Sequence, residues 1–268
     1  MHSMTDMNSR ALLSIPPDQV HLWVVFDGDV PHGLLAEYRK LLTDEERSQE
    51  ERFHFPRHRR QYLITRALVR TVLSRYSRKP PAQWRFIQNA HGRPSLRDEE
   101  GRAASSLSFN LSHTDGLVVC GVAPELALGV DAECTRREAS LDMADRFFSP
   151  QEAAALRSLP QGRQHRQFFD FWTLKESYTK AKGIGLSIPL DSFAFNSADA
   201  GSIVISFDAS SDDSPGGWRF WSLQPSAEHI VAVCAQRAEG VSQQLVLRKT
   251  IPLGDEQPFS CAVLRRSG

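Results

Sequence analysis

The sequence predicts an α+β protein built from two halves, each of which combines helices with several strands. Its 268 residues are enough for one large domain or two modest ones with a substantial core. A content of 41% hydrophobic and 24% charged residues is ordinary for a globular protein. Pro124 separates two apolar runs near the middle of the chain, and two α+β halves joined there would leave a cleft between them.

The first half begins with an apolar strand, continues through two helical stretches and ends in extended chain. Alternating or continuous apolar runs indicate strands, whereas apolar residues three or four positions apart indicate helices. The predicted elements are the strand "HLWVVF", helices over about 33–53 and 58–76, and extended pieces at "WRFIQ", "SLSFNLS" and "GLVVCGVA".

The second half opens with the strand "ALGVDAE", continues in helices and ends in strands. From Ser149 to Glu152, "SPQE" places a cap serine, a proline and a glutamate where the start of a helix needs them. The glycines of "KGIGLS" end a long helix over about 164–182. Further strands are predicted at "SFAFN", "SIVISFD", "WRFWSLQ" and "HIVAVCAQ". The predicted division is a first half over residues 1–122, a second half over 123–250 and a C-terminal tail over 251–268.

The composition argues against a membrane or secreted protein. No apolar run approaches membrane-spanning length, and the first ten residues lack the apolar stretch of a signal peptide. The four cysteines are widely spaced and form no CxxC pair, which favours reduced structural thiols over zinc ligands or disulfides. We therefore expect a cytoplasmic protein with no membrane partner.

The net charge is zero, but the stretch from Arg52 to Lys79 holds nine Lys or Arg residues and no Asp or Glu. Such a block is either a surface for phosphates or an acidic partner, or a helix face whose arginines pair with acids elsewhere. Binding to nucleic acid would use this block. However, "RQYLITRALVRTVL" interleaves Arg66 and Arg70 with apolar residues in an amphipathic pattern, which weakens that alternative.

Asp131 and Glu133 stand one residue apart at the end of the apolar run in "LGVDAEC". Side chains alternate along extended chain, so both carboxylates would lie on one face. Two like charges this close repel each other, which raises the question of what lies between them.

The stretch "FFDFWTLKESYTKAKGIG" predicts a helix with an apolar face and a charged face. Its apolar face consists of Phe171, Leu174, Tyr178 and Ala181. Glu176 and Lys180 lie almost opposite, one turn apart; alone, such a pair is usually a surface stabiliser. With Asp131 and Glu133, Glu176 would make three oxygen ligands that suit Mg²⁺, and nearby lysines would suit metal-bound phosphates. The combination suggests a magnesium site for a diphosphate substrate.

Two shorter motifs precede these acids. In "FNLSHT", Ser112 and His113 end a strand. Because the chain has no G-x-S-x-G elbow and adjacent strand side chains point to opposite faces, serine hydrolysis is disfavoured and donation to a phosphate is favoured. In "HGRPSL", Gly-Arg-Pro predicts a turn that presents Arg93 at a fixed place, although alone it could be any turn.

These four motifs, in this order and spacing, resemble those of the phosphopantetheinyl transferases, specifically the larger surfactin-type branch. "HGRP" is similar to the family's Gly-Lys-Pro element and "FNLSHT" to its Asn-x-Ser-His element. "LGVDAE" is similar to Gly-x-Asp-x-Glu, and "FWTLKESYTKAKG" to Trp-x-x-Lys-Glu-Ser-x-x-Lys. The matched motifs span Gly92 to Gly185.

The resemblance implies two similar α/β subdomains related by a pseudo-twofold axis, with the active site in the cleft between them, in a working monomer. The implied reaction moves the 4′-phosphopantetheine arm of coenzyme A onto a serine of an apo acyl carrier protein or peptidyl carrier domain. It is Mg²⁺-dependent and releases adenosine 3′,5′-bisphosphate.

The resemblance also implies a role for each site residue. Asp131, Glu133 and Glu176 would hold Mg²⁺ against the diphosphate, and Glu176 would take the serine proton directly or through metal-bound water. Lys180 would stabilise phosphate charge during transfer. The implied coenzyme A ligands are Ser112, His113 near the 3′-phosphate, Arg93 in place of the motif's lysine, Lys175 and Arg47.

Two departures from the family pattern affect these expectations. Arg93 keeps the positive charge of a lysine but replaces a compact ammonium group with a larger, planar guanidinium group. In some relatives basic residues bind the 3′-phosphate at the position of "DEERSQEE", where Arg47 is the only base. Either Arg47 or the basic block from Arg52 onward substitutes, or this contact is missing.

Two alternatives besides nucleic-acid binding follow from the same residues. A catalytically inactive coenzyme A or carrier-protein scaffold is disfavoured because the three carboxylates and Lys180 are all present. Another magnesium-dependent phosphotransferase is disfavoured because the chain has no Walker loop or kinase signature.

Overall fold

The computed structural model describes residues 11–97, 107–139, 141–196, 201–209, 211–238 and 240–268, so the first ten residues lie outside it. Within these ranges the chain forms, in order, β1 (Gln19–Phe26), α1 (Leu34–Lys40), α2 (Asp44–Glu51), α3 (Pro56–Leu73), β2 (Phe86–Gln88), β3 (Pro94–Leu96), β4 (Ser108–Thr114), β5 (Leu117–Ala123), β6 (Leu128–Cys134), α4 (Leu141–Phe147), α5 (Pro150–Ser158), α6 (Gln161–Lys182), β7 (Phe193–Asn196), β8 (Val204–Phe207), β9 (Trp218–Ser226), β10 (His229–Gln236), β11 (Gln244–Thr250), β12 (Glu256–Pro258) and β13 (Ala262–Arg266).

The two halves share one topology. In the first, β1 leads through α3 to the hairpin β4–β5, whose second strand pairs antiparallel with β1. In the second, β6 leads through α6 to the hairpin β9–β10, whose second strand pairs antiparallel with β6. The predicted fold class, an α+β protein of two similar α/β halves, is confirmed.

The two sheets pack face to face, with helices on their outer faces. In β1, Trp23 and Val25 pack toward α3, whereas Leu22 and Val24 pack against the strands of the second sheet. In β10, Ile230 and its alternate neighbours pack with α6 instead. Central strands buried on both faces read as continuous apolar runs, which explains "HLWVVF" and "HIVAVCAQ".

The C-terminal segment differs from the predicted division. β11 lies parallel to β1 in the first sheet and pairs with β12, while β13 pairs with β9 in the second sheet. Residues 244–250 therefore belong to the first sheet, and residues 251–268 are not a separate tail. The physical reason is that β1 and β9 each have a further edge whose backbone groups need partners.

Helix boundaries follow local signals that the sequence carries. The capping box at Ser149 and the stop at Gly183, which has φ 71°, both appear as predicted. The single helix expected over 33–53 is instead two helices, α1 and α2. The second helix starts at a capping box formed by Thr43 and Glu46. The apolar pattern continues across this box, so the sequence alone predicts a single helix. No helix in the described ranges has the length and apolar character that a membrane span requires.

Candidate active site

Three elements bring Ser112, Asp131 and Lys180 together between the two halves. Lys180, on α6, places its Nζ 2.7 Å from Asp131 Oδ1 and 3.0 Å from Ser112 Oγ. The Ser112 hydroxyl, on β4, donates to Asp131 Oδ1 at 3.2 Å. Asp131 is only 5% exposed, whereas 29% of the Lys180 side chain is exposed. Residues far apart in the chain thus form one polar cluster with an accessible ammonium group.

Side chains of β4 join the edge strands of the two sheets. The acceptors are the polar residues that alternate along β4, and the donors are alternate main-chain N–H groups of β6. The three bonds run from Val130 N to Asn110 Oδ1 at 2.8 Å, from Ala132 N to Ser112 Oγ at 3.2 Å, and from Cys134 N to Thr114 Oγ1 at 3.0 Å. We call this set the β4–β6 side-chain ladder. It holds the strand that carries Asp131 and Glu133 in register with β4.

The carboxylates of β6 lie on the side of that strand that faces α6. Val130 and Ala132 point into the core between the sheets, so their alternate neighbours Asp131 and Glu133 point the other way. Gly129, on the same side, lets the helix approach closely. A Cβ at that position would lie 1.9 Å from the Ser177 carbonyl oxygen. The glycine of "LGVDAE" therefore sets the distance between Asp131 and the helix.

The Asp131 charge acts electrostatically on both glutamates. Burial, together with the nearby Asp131 charge, raises the pKa of Glu133 to about 7, although Arg137 and Lys180 act in the opposite direction. Burial and the Asp131 charge also raise the pKa of Glu176, against the effect of Lys180. Asp131 Oδ2 is buried and has no hydrogen-bond partner in the part of the chain that the structure describes. Carboxylate oxygens whose negative charge is not fully balanced by neighbouring cations suit a hard cation.

These donors do not form a closed metal cage. In the part of the chain that the structure describes, no three His, Cys, Asp or Glu side chains are grouped closely enough to hold a metal ion. The Lys180 ammonium pairs with Asp131, and Arg137 Nη1 lies 3.0 Å from Glu133 Oε2. The fit to Mg²⁺ therefore lies in donor chemistry, to which Asp131 Oδ2 contributes a buried oxygen without a hydrogen-bond partner among the described residues.

A cavity of about 240 Å³ opens beside this cluster, between the two halves. Glu176, Thr179 and Lys180 of α6 line it from one side, while Arg93 and Asn110 line it from the other. His113 directly follows Ser112 in β4 and is exposed. Partial desolvation and the Lys180 charge lower the pKa of His113, against the opposing effects of a main-chain hydrogen bond and of Asp131. The expected position of the site in the interhalf cleft agrees with this cavity.

Lys175 lies elsewhere, which corrects the expectation that it binds coenzyme A. Its Nζ is fully buried, 2.7 Å from Glu152 Oε2, and donates to the carbonyl oxygens of Leu190 and Phe193 at 2.6 Å. Lys175 is five residues before Lys180, about 140° around the helix. Its ammonium group therefore points into the core of the second half.

Arg93 also differs from its expected role as a phosphate donor. Its guanidinium group donates to the carbonyl oxygens of Lys180 and Ala181 at 2.5 and 2.6 Å and of Leu128 at 3.0 Å. Three of its five N–H groups are thus committed to the main chain of the second half. The side chain borders the cavity but is directed into the end of α6.

Arg47 is not brought into the Lys180 cluster. It donates to the Leu42 carbonyl oxygen at 2.6 Å and pairs with Asp44. It lines a second cavity, of about 720 Å³, and Pro94 lines both this cavity and the first. The other basic residues of this second cavity are Arg66, Arg70, Arg85 and Arg97.

The basic block from Arg52 to Lys79 contains buried and half-buried arginines that pair with acids and an exposed group at the N-terminal end of α3, in which Arg59 also pairs with Glu50 at 3.4 Å. Arg66 and Arg70 pair with Glu46, and Arg75 Nε lies 2.8 Å from Glu256 Oε2. Toward the N-terminus of α3, 59% of the Phe55 side chain is exposed, with Arg57 5.6 Å above its ring. We call the exposed residues Arg52, His54, Phe55, Arg57, His58 and Arg59 the α3 basic patch.

Sequence reasoning missed Asn110 and Thr114 of the ladder. Their signal was present, because small polar residues occupy alternate positions, Asn110, Ser112 and Thr114, in "NLSHT". Alternation shows that they share one face. It does not show that the face meets the edge of a second sheet.

Comparison with known proteins shows the family. Residues 127–234 match the model of the 4′-phosphopantetheinyl transferase superfamily, and residues 33–125 match that of the 4′-phosphopantetheinyl transferase N-terminal region. The chain is 38% identical over 176 residues to the 4′-phosphopantetheinyl transferase HetI of Nostoc sp., covering 65% of this chain and 73% of the relative. It is 31% identical over 198 residues to the 4′-phosphopantetheinyl transferase Sfp of Bacillus subtilis, covering 74% and 84%.

The two-half fold and the matches over both halves define a transferase enzyme. The chain belongs to the 4′-phosphopantetheinyl transferases and is of the Sfp-like, surfactin type. The resemblance inferred from the four sequence motifs is confirmed.

Proposed function

We propose that this protein transfers the 4′-phosphopantetheine arm of coenzyme A to a serine hydroxyl of an apo acyl carrier protein or peptidyl carrier domain. The observation that carries the proposal is the Ser112–Asp131–Lys180 cluster beside a cavity lined by both halves, in a chain of this family. The serine oxygen attacks the β-phosphorus, and the bond from that phosphorus to the bridging oxygen breaks. Adenosine 3′,5′-bisphosphate leaves with the bonding electron pair.

The residues of the cluster supply charge and donors for this step. Lys180, whose side chain is partly exposed, neutralises developing charge on the phosphate oxygens, Ser112 donates a hydrogen bond to them, and His113 donates to the 3′-phosphate. Glu176 takes the serine proton. Burial and the Asp131 charge raise the pKa of Glu176, so without a bound cation its carboxylate is a stronger base than an ordinary glutamate.

Asp131, Glu133 and Glu176 would hold Mg²⁺ in this proposal. The bound ion would neutralise the diphosphate and polarise the transferred phosphoryl group. The unpartnered Asp131 Oδ2 and the raised pKa of both glutamates support this assignment, since a cation would relieve their mutual repulsion. Lys180 would then move its contact from Asp131 toward the substrate phosphates.

Arg47 and the arginine-lined cavity would receive the 3′-phosphate of coenzyme A, and the α3 basic patch would contact an acidic surface of the carrier. Both halves of one chain line the cavity, which favours a working monomer. A cytoplasmic location remains a prediction from the sequence.

The test is a transfer assay with purified protein, coenzyme A, Mg²⁺ and apo carrier proteins from several pathways, followed by mass spectrometry. We expect a carrier mass increase of one phosphopantetheine that is lost on chelation and in Glu176→Gln. The exposed Glu125 offers a matched control, and Glu125→Gln should retain transfer. No mass increase with any carrier would contradict the proposal and favour an inactive scaffold.

A further inference from the structure

The end of α6 is capped from the opposite half of the molecule. Helix C-termini leave carbonyl groups without intrahelical partners, and α6 ends two residues after Lys180. Gly183 N–H satisfies the Thr179 carbonyl at 3.1 Å. The Lys180 and Ala181 carbonyls instead accept from Arg93 Nη1, and the Gly183 carbonyl accepts from Asn89 Nδ2 at 2.7 Å.

The turn that supplies these donors is itself ordered by Asn89. Its Oδ1 accepts from the main-chain N–H groups of His91 and Arg93, both at 2.9 Å. Gly92, with φ 81°, gives the turn its left-handed residue. One asparagine side chain therefore both shapes the turn and bonds to the residue after α6.

The same arginine reaches both elements that carry the candidate catalytic groups. Its Nη2 donates to the carbonyl oxygen of Leu128 at 3.0 Å, at the start of β6, which carries Asp131. Gly183 leaves room for the side chain, since a Cβ there would lie 2.8 Å from Arg93 Cδ. A partly buried cation at a helix C-terminus is also favoured by the helix dipole.

We propose that Arg93 and Asn89 are positioning residues that hold Lys180 against Asp131 across the interface between the halves. The planar guanidinium ties the last turn of α6 to the first residue of β6. The separation of Lys180 Nζ from Asp131 Oδ1 depends on where that turn lies. This inference rests on the proposed transfer function, but one of its two tests does not require activity.

The kinetic test compares Arg93→Met, Arg93→Lys and Asn89→Asp with the wild type. Asn89→Asp keeps the oxygen that shapes the turn but removes the donor to Gly183. We expect kcat to fall by up to about 100-fold in Arg93→Met, with less loss in Arg93→Lys and Asn89→Asp, and the KM for coenzyme A to change less than about twofold. A phosphate ligand would give the opposite result: a raised KM at unchanged kcat, with Arg93→Lys near wild type. That result would overturn the proposal.

The second test is hydrogen exchange over residues 176–187, measured by mass spectrometry without substrate. Exchange should be faster in Arg93→Met and Asn89→Asp than in the wild type. Arg163, exposed near the start of the same helix, offers a matched control, and Arg163→Met should leave exchange and kinetics unchanged. If Arg93→Met does not fold, the exchange rates of Asn89→Asp and Arg93→Lys test the proposal instead. Unchanged exchange in both would overturn the proposal, even if the wild type transferred nothing to any carrier.

Discussion

Lys175 and Lys180 show how two lysines of one helix acquire different roles. Lys180 is partly exposed at the cavity, whereas Lys175 is completely buried with Glu152. Glu152 also accepts from the Ser149 and Phe195 main-chain N–H groups at 2.9 and 2.8 Å. The buried pair thus connects the start of α5, the middle of α6 and β7. A buried pair with all its hydrogen bonds made is costly to break on one side only.

We therefore predict that Lys175→Met destabilises the protein by about 3–5 kcal/mol, because it leaves the Glu152 carboxylate buried without its partner charge. The double variant Lys175→Met with Glu152→Gln should lose less. Urea unfolding measures both. Lys40 pairs with Glu37 on the surface, so Lys40→Met should cause little change. Equal losses in Lys175→Met and Lys40→Met would contradict the assigned role.

Arg47 lines the second cavity, which is the proposed site for the 3′-phosphate of coenzyme A. If it binds the 3′-phosphate, Arg47→Ala should raise the KM for coenzyme A on the order of tenfold, the effect of losing about 1.4 kcal/mol of binding. With 3′-dephospho-coenzyme A, wild type and variant should become equal. Steady-state kinetics with the two substrates measure this difference. An unchanged KM for coenzyme A would remove Arg47 from the site.

At the scale of elements, the β4–β6 side-chain ladder takes the place of ordinary strand pairing. β4 and β6 are each the last strand of their own sheet. The ladder satisfies N–H groups that would otherwise be orphaned at a buried edge. It also places Ser112 Oγ within reach of Asp131 and Lys180. One set of side chains therefore serves both the interface and the site.

Thr114 tests the ladder without touching the polar cluster. Thr114→Val keeps the shape of the side chain but leaves the Cys134 N–H unsatisfied, which should cost about 1–3 kcal/mol. Thr114→Ser keeps the acceptor and should retain slow exchange of the Cys134 amide. Urea unfolding and amide exchange by nuclear magnetic resonance distinguish the two variants. Equally slow Cys134 exchange in both would show that the hydroxyl is not the relevant acceptor.

Across the whole molecule, the interior arginines are paired with acids, and at the N-terminal end of α3 only part of the positive charge is paired, by Glu50 with Arg59 and by Asp27 with Arg60. Arg66, Arg70 and Arg75 pair with acids from other elements. Arg52 and Arg57 have no carboxylate partner among the described residues and flank the exposed Phe55. An apolar anchor within a positive surface is suited to an acidic protein partner.

We predict that the double variant Arg52→Glu with Arg57→Glu raises the KM for an acidic carrier roughly tenfold and leaves the KM for coenzyme A unchanged. Arg78 is exposed beyond the other end of α3, which is about 27 Å long, so Arg78→Glu serves as the control. The difference between the variants should shrink at high salt. Equal carrier kinetics in both variants would place carrier docking elsewhere.

The amino-acid sequence was sufficient to predict the repeated mixture of helices and strands, the caps at Ser149 and Gly183, and the shared face of Asp131 and Glu133. These depend on periodicities and short-range contacts that adjacent residues specify. Only the tertiary structure decided which cations are available to a ligand. Arg93 is bound to carbonyl groups on α6 and β6, and Lys175 to Glu152, by partners far away in the chain. A motif shows that a charge is present, but its partners depend on how the two halves pack together.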